Sequence, residues 1–208
     1  MEQITLAIGK GRTAKDAIKL LEKANITFPD FNGDSRKLIF YSADKTIKML
    51  YVKSVDVTTY VEQGAAHIGI VGRDNILEQE ADLYEFLDLK IGQCRFSVAS
   101  LHDIALQKGK TIKVATKYPN IAKQFFAKKG MTIEAIKLNG SVELAPLIGM
   151  SDCIVDIVET GSTIRENGLT IIEDIEHIST RVVVNKASFA TKTDEIQRFI
   201  EKLKVVVE

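Results

Sequence analysis

Apolar residues in this chain fall into short runs, separated by stretches in which apolar positions recur every three or four residues. The runs "ITLAIG" (4–9), "KLIFY" (37–41) and "HIGIVG" (67–72) have the length and β-branched content of strands. So do "TIKVATK", "TIEAIKL", "DCIVDIV" and "RVVVN" further along. Helical spacing marks "TAKDAIKLLEKAN", where Ala14, Ala17, Ile18 and Leu21 share one face. The same spacing marks "VTTYVEQG", "DNILEQE", "PNIAKQFFAKKG", "SVELAPLIG" and "TDEIQRFIEKLK". Strands alternating with helices predict an α/β architecture with mainly parallel sheets.

Two segments repeat a pattern: "DLKIGQCRFSV" (88–98) and "DIEHISTRVVV" (174–184) both read D-[LI]-x5-R-apolar-x-V. One lies before the second set of βα units and the other after it. They read either as paired hinge segments that carry the chain to a second lobe and back, or as two strands alike by chance. The hinge reading predicts one lobe from 1–90 with 178–208 and a second from 91–177. With no Pro- or Ser-rich linker between them, the expected lobes enclose a central cleft, a common place for ligands.

The 208 residues carry 28 Lys plus Arg and 28 Asp plus Glu, so no global field recruits nucleic acid or an anionic membrane. Any anion site must be local. Cys94 and Cys153 form neither a CxxC nor a disulfide framework, and His67, His102 and His177 lie far apart, which disfavours structural zinc. The opening "MEQITLAIGKGR" lacks a signal-peptide core and no apolar run reaches membrane-spanning length. The expected location is cytoplasmic.

Local chemistry concentrates in three places. In "IGKGRTA", Gly9, Gly11 and Ala14 satisfy a dinucleotide-type G-x-G-x-x-[GA], yet Lys10 and Arg12 flank the second glycine and no acid ends the next strand; Asp30 and Asp34 precede it. Two cations on a glycine turn at a helix start suit a polyphosphate better than a nicotinamide dinucleotide; the alternative is an exposed turn with solvated charges. In "HIGIVGRD", Gly72, Arg73 and Asp74 form either a tight βα turn capped by Asp74 or part of a cleft rim. Arg36, just before "KLIFY", needs support from elsewhere to rise above a solvated surface charge.

The strongest local signal is "CIVDIVETGST" (153–163), a buried-looking strand that holds Asp156 and opens into Glu159, Thr160, Gly161, Ser162 and Thr163. Turn amides plus hydroxyls can cradle a dianionic phosphate. The carboxylates cannot share that phosphate, because two unit charges about 4 Å apart repel by roughly 4 kcal/mol at an effective dielectric near 20. Asp156 and Glu159 should face neutral donors such as sugar hydroxyls. Acid, spacer and phosphate nest in succession describe a clamp for a ribose 5-phosphate; the alternative is an Asp satisfied by backbone amides beside an ordinary helix cap.

Taken together, "AIGKGR", "HIGIVGRD" and "KVATKYPNIAKQFF" resemble segments of the short form of ATP phosphoribosyltransferase. The family signature E-x5-G-x-[small]-x2-[IV]-x-D-[apolar]-x2-[ST]-G-x-T-[LM] can be followed through Glu143, Gly149, Ser151, Ile154, Asp156, Thr160, Gly161 and Thr163. It departs only at Ile164, which keeps the apolar volume of the usual Leu or Met. The resemblance implies a two-lobed fold like the type II periplasmic binding proteins. It implies transfer of phosphoribosyl from PRPP to N1 of ATP, with Mg2+ carried by PRPP rather than by protein ligands and with no organic cofactor. It also implies a histidyl-tRNA-synthetase-like regulatory subunit in a hetero-octamer, and a homodimer for the chain alone. On this reading Thr160, Gly161, Ser162 and Thr163 take the 5-phosphate, and Asp156 the ribose hydroxyls with Glu159 nearby. Lys10, Arg12 and Arg36 act on pyrophosphate or ATP phosphates, alongside Gly9, Gly11, Gly72 and Asp74. The competing readings are a non-catalytic cytoplasmic solute- or effector-binding module of the same fold and a phosphoribosyltransferase for a free purine base.

Overall fold

Strand and helix propensity along the chain resolve into eleven strands, eight α-helices and one 3-10 turn among the described residues of the computed structural model, which are 3–33, 36–101 and 110–207. Asp34 and His102 lie outside the described residues. The chain begins with β1 (Ile4–Lys10), α1 (Arg12–Lys23), β2 (Ile39–Tyr41) and β3 (Ile47–Lys53), then a 3-10 turn over Ser54–Asp56. It continues through α2 (Val57–Glu62), β4 (Ile68–Gly72), α3 (Arg73–Gln79) and β5 (Tyr84–Asp88). Next come β6 (Cys94–Ser100), β7 (Ile112–Thr116), α4 (Pro119–Lys128), β8 (Ile133–Lys137), α5 (Leu144–Leu147), β9 (Cys153–Val158), α6 (Ser162–Glu166) and β10 (Thr170–Ile178). The chain ends with β11 (Thr180–Val184), α7 (Lys186–Thr191) and α8 (Thr193–Val207).

These elements form two compact units, residues 1–92 with 179–208 and residues 93–178. The first holds a sheet in the order β2-β3-β1-β4-β11-β5, the second a sheet in the order β10-β6-β9-β7-β8. Within the first unit the segments flanking the chain crossings bond to each other: Leu89 N–H donates to Thr180 O and Thr180 N–H to Ile91 O.

Mainly parallel sheets were expected, and both sheets are mixed. In the first, β1 runs parallel to β3 and β4, but β2, β11 and β5 join antiparallel. In the second, β7 is parallel to β8 and β9, whereas β6 pairs antiparallel with both β9 and β10. A right-handed parallel crossover needs a helix between the strands. No helix separates β2 from β3, so that connection reverses direction. The expected helix in "SVELAPLIG" shrinks to the single turn of α5, which contains Pro146 and is followed by Gly149 at φ 72°. Two strands absent from the expectation, β3 and β5, complete the first sheet.

Alternation along the central strands sorts the core. Leu6 and Ile8 of β1, Met49 of β3 and Ile68 and Ile70 of β4 face α1 and α8, whose Leu21, Ile196 and Leu203 are fully buried. Ala14, Ala17, Ile18 and Leu21 of α1 are buried together, as their spacing implies. On the opposite face Ala7, Val71 and Val183 pack with Val57, Val61 and Ile76. In the second unit Val98, Val114 and Val155 pack with Ala122 and Phe126, and Ala99, Ala115, Ile154 and Val158 with Ala145 and Ile164. Each fully buried Leu, Ile or Phe contributes about 1.5–3 kcal/mol.

Asn185 joins the returning chain to the first unit. Its Nδ2 donates to Val61 O (2.9 Å) and Glu62 O (3.2 Å), and its Oδ1 accepts Ser188 N–H (2.8 Å) at the N-cap of α7. Asn185→Ala uncaps α7 and strips two buried or half-buried carbonyls of a donor. The expected loss is roughly 1–3 kcal/mol, seen as a melting temperature several degrees lower. An unchanged melting temperature contradicts the clamp.

Candidate functional site

In the second unit, β9 carries Asp156 between Ile154 and Val158, on the face that packs against Ala145 of α5 and Ile164 of α6. Its carboxyl is pushed up from 3.8 to about 6. Burial is the main cause; an N–H bond from Ile157 opposes it, the Glu143 carboxylate adds to it, and the Lys117 ammonium opposes it. Lys117 owes its place to Thr116, which is fully buried: Thr116 Oγ1 donates to Val155 O (2.6 Å) and accepts Tyr118 N–H (2.8 Å), tying the end of β7 to β9. The Ile157 N–H and the Lys117 ammonium both favour the ionised form of Asp156, against burial and Glu143.

Beyond β9 the chain turns through Thr160 and Gly161. Gly161 sits at φ 74°, a left-handed conformation that glycine adopts without strain, and an added Cβ would lie 3.0 Å from Arg165 Nη1. Thr160 Oγ1 and Ser162 Oγ are 3.1 Å apart, and Arg165 Nη1 donates to Thr160 O (3.1 Å). Glu159, Thr160 and Thr163 are exposed, while Ser162 begins α6. Since α6 has only five residues, a helix macrodipole adds little at this turn, and its chemistry is that of the turn's amides and hydroxyls.

In the first unit, the C-terminal ends of β3, β1 and β4 lie at one edge of the sheet. Lys10 is in register with Lys53, and Ile8 with Ile70, two residues short of Gly72. Ligands of parallel sheets gather outside such strand ends. Gly9 passes so close to the following turn that an added Cβ would lie 2.7 Å from Ser54 Cα, and Ser54 Oγ donates to Lys10 O (2.7 Å). Gly11, at φ 130°, is the N-cap of α1; no side chain caps this helix and no acid occupies its first turn. Lys10, Gly11, Arg12, Lys15, Gly33 and Tyr51 line a pocket of about 450 Å3.

Arg36 is exposed and does not line that pocket. Tyr51 N–H donates to Leu38 O, continuing the antiparallel β2–β3 pairing to two residues after Arg36. Gly72 and Asp74 sit at the end of β4, but Asp74 does not cap α3: Gly72 is the N-cap and Asp74 lies inside the first turn. Asn75 Nδ2 donates to Asp74 Oδ2 (3.1 Å), and a Cβ on Gly72 would lie 2.2 Å from Asp74 Oδ1. Arg73 has a structural role, with Nε 3.4 Å from Glu85 Oε2.

The first unit thus gathers Gly9, Lys10, Gly11, Arg12, Gly72 and Asp74 near one sheet edge, and the second holds Asp156, Glu159, Thr160, Gly161, Ser162 and Thr163. Sequence reasoning passed over Lys15, Tyr51 and Lys53 in the first unit and Lys117 in the second; Glu143 was noted only as a letter of the signature. Lys15 lies one helical turn after Arg12, a spacing legible in the sequence. Lys53 required knowledge of the β1–β3 register.

Both mixed sheets belong to a known class, the two-unit α/β proteins with the type II periplasmic-binding-protein fold. The periplasmic aliphatic sulphonate binding protein SsuA from Escherichia coli shares it, with a TM-score of 0.61 at 12% identity, over 100% of this chain and 69% of that one. That likeness shows the fold alone. A profile of the HisG family, ATP phosphoribosyltransferase, matches residues 53–205. The ATP phosphoribosyltransferase of Oceanobacillus iheyensis is 56% identical over 207 residues, 100% of both chains, and that of Clostridium novyi 50% identical over 210 residues, 100% of this chain and 99% of its own. The ATP phosphoribosyl transferase (HisG:HisZ) complex from Thermotoga maritima contains a chain with a TM-score of 0.86 and 37% identity, covering 99% of this chain and 98% of that one. The chain belongs to the ATP phosphoribosyltransferase family.

The raised carboxyl of Asp156 has a measurable consequence. The folded state holds this proton more tightly than the unfolded chain, so stability falls as pH rises from about 4 to 6 and stays lower above it. Asp156→Asn should therefore stabilise the ligand-free chain by about 1–2 kcal/mol at pH 8, with the gain vanishing toward pH 4. Denaturant unfolding at both pH values tests this; an equal effect at both contradicts it.

Proposed function

We propose that this chain catalyses transfer of the phosphoribosyl group of PRPP to N1 of ATP, giving phosphoribosyl-ATP and pyrophosphate, the first step of histidine biosynthesis. The observation that carries the site assignment is one βα turn that joins a half-buried carboxylate, Asp156, to the amide- and hydroxyl-rich Thr160–Thr163 loop. Full-length relatives at 50–56% identity that carry the transferase name favour catalysis over a solute-binding module.

In the reaction the bond between ribose C1 and the pyrophosphate oxygen breaks and a bond from adenine N1 to C1 forms. Adenine N1 supplies the electron pair, and the pyrophosphate leaves with the pair of the broken bond. No protein nucleophile is required, so positioning and electrostatics carry the rate. Thr160, Gly161, Ser162 and Thr163 hold the 5-phosphate, and Asp156 accepts hydrogen bonds from the ribose hydroxyls with Glu159 beside it. Asp156 is ionised above its pKa of about 6, which suits an acceptor for hydroxyls and excludes a second anion. Lys10, Arg12 and Arg36, with Gly9, Gly11, Gly72 and Asp74 shaping the strand ends, neutralise pyrophosphate and the ATP phosphates.

Among the described residues no three His, Cys, Asp or Glu side chains cluster to hold a metal ion. Mg2+ keeps most of its waters and prefers substrate phosphates to all-protein cages. It is therefore proposed to enter on PRPP. The Thermotoga maritima relative is a HisG:HisZ complex; a regulatory subunit is proposed for this chain on that ground, with the hetero-octamer, the homodimer and a cytoplasmic location proposed from the family. Among the described residues no helix is long and apolar enough to cross a membrane.

Incubation with PRPP, Mg2+, ATP and the regulatory subunit should release pyrophosphate and form phosphoribosyl-ATP, whereas adenine in place of ATP should not react. Asp156→Asn should lower kcat/KM for PRPP by roughly 10- to 100-fold, the worth of hydrogen bonds to a charged acceptor. Arg36→Ala should lower kcat by about 100-fold while changing KM less, as expected for an interaction made in the transition state. Unchanged kinetics in a folded variant removes that residue from the site.

A further inference from the structure

We propose that Tyr51 is a positioning residue that fixes Lys10 through its ring face; this rests on the reading of the Lys10 pocket as a phosphate site. Tyr51 lies on β3 at an inward position of "IKMLYVK", following buried Ile47 and Met49, and is 6% exposed. Phe31 meets its ring at 5.2 Å and 89°, and Phe40 at 6.4 Å and 76°. Phe31 and Phe40 meet each other at 5.1 Å and 74°. Three perpendicular rings lock the phenol in one orientation. Lys10 Nζ stands 5.4 Å from the centroid of that ring, inside the range in which a cation is drawn to an aromatic face.

Lys10 has need of such a hold. It is an exposed lysine at a strand end, on a stem with four rotatable bonds. Lys53 is its register neighbour and Arg12 and Lys15 line the same pocket, so like charges act to drive the ammonium out toward solvent. The ring supplies attraction without negative charge. A carboxylate in its place would neutralise Lys10 and repel the phosphates the pocket is read to bind, whereas a ring quadrupole leaves the full positive charge available to an anion. Because Lys10 covers a face of the ring, Tyr51 addresses the lysine rather than stacking on the adenine base.

The test separates ring electrostatics from packing. The full chain with its regulatory subunit is assayed with PRPP, ATP and Mg2+, and each variant is checked for an unaltered fold by circular dichroism. Tyr51→Phe keeps the ring and should hold kcat/KM within about threefold. Pentafluorophenylalanine at position 51 keeps the shape but removes the negative face, and should lower kcat/KM by roughly threefold to thirtyfold, as should Tyr51→Leu. In a Lys10→Met background neither change at position 51 should cost anything further. If Lys10→Met lowers activity but the fluorinated ring matches phenylalanine, or the position 51 losses persist in the Lys10→Met background, Tyr51 acts by packing and the proposal is overturned. If Lys10→Met itself has no effect, the phosphate reading of the pocket falls, and the role of Tyr51 with it.

Discussion

A carboxylate held partly out of water on β9, two residues before the strand ends, is the group on which the proposed chemistry of the second unit depends. Alternation along β9 puts Asp156 on the same face as Ile154 and Val158, against the helical layer, where Glu143 opposes its charge. Only the Ile157 amide and the Lys117 ammonium favour ionisation. Burial of this kind is unfavourable unless the charge finds partners. The ligand-free chain therefore carries a destabilised group poised for neutral donors, and the ribose hydroxyls proposed here supply them. The adjoining turn, opened by Gly161 in the left-handed region, puts amides and hydroxyls one step along the chain, where the phosphate of the same sugar would lie.

The first unit solves the complementary problem of bringing cations together at its strand ends. Parallel register places Lys10 beside Lys53, and the uncapped start of α1 adds Arg12 and Lys15. Gly9 lets Ser54 approach the β1 backbone closely enough for its hydroxyl to bond Lys10 O, so the turn after β3 and the end of β1 are fixed to each other. The Tyr51 ring under Lys10 is proposed to take the role a carboxylate has in most ion pairs. Arg73 shows the contrast, since its pairing with Glu85 gives it a place in the structure.

Much of the α/β order was legible because runs such as "ITLAIG", "HIGIVG" and "DCIVDIV" are bounded by clear breaks and their helices keep a single apolar face. β3 was not, because "IKMLYVK" alternates Ile47, Met49 and Tyr51 with lysines and partly buried residues and passes into "SVD" with no turn signal. β5 escaped for a different reason: as an edge strand it exposes Tyr84 and Phe86, so its pattern shows no buried face. Strand direction was misjudged at β2 and β11 in the first sheet and at β6 in the second, which run antiparallel to their neighbours. The glycines, Asp156 and the hydroxyl turn could be singled out by residue type and spacing. Lys53, Tyr51 and Lys117 could not, since their nearness to the candidate groups arises from strand register and ring packing between segments distant in sequence.

The central claim is that the β9–α6 turn receives the ribose 5-phosphate of PRPP. Hydrogen exchange of the full chain, with and without saturating PRPP and Mg2+, reads this turn directly. The account predicts that amide exchange slows across residues 156–163 on binding, and that ATP alone leaves this segment unchanged. Saturable PRPP binding with no protection anywhere in residues 156–163 would contradict it.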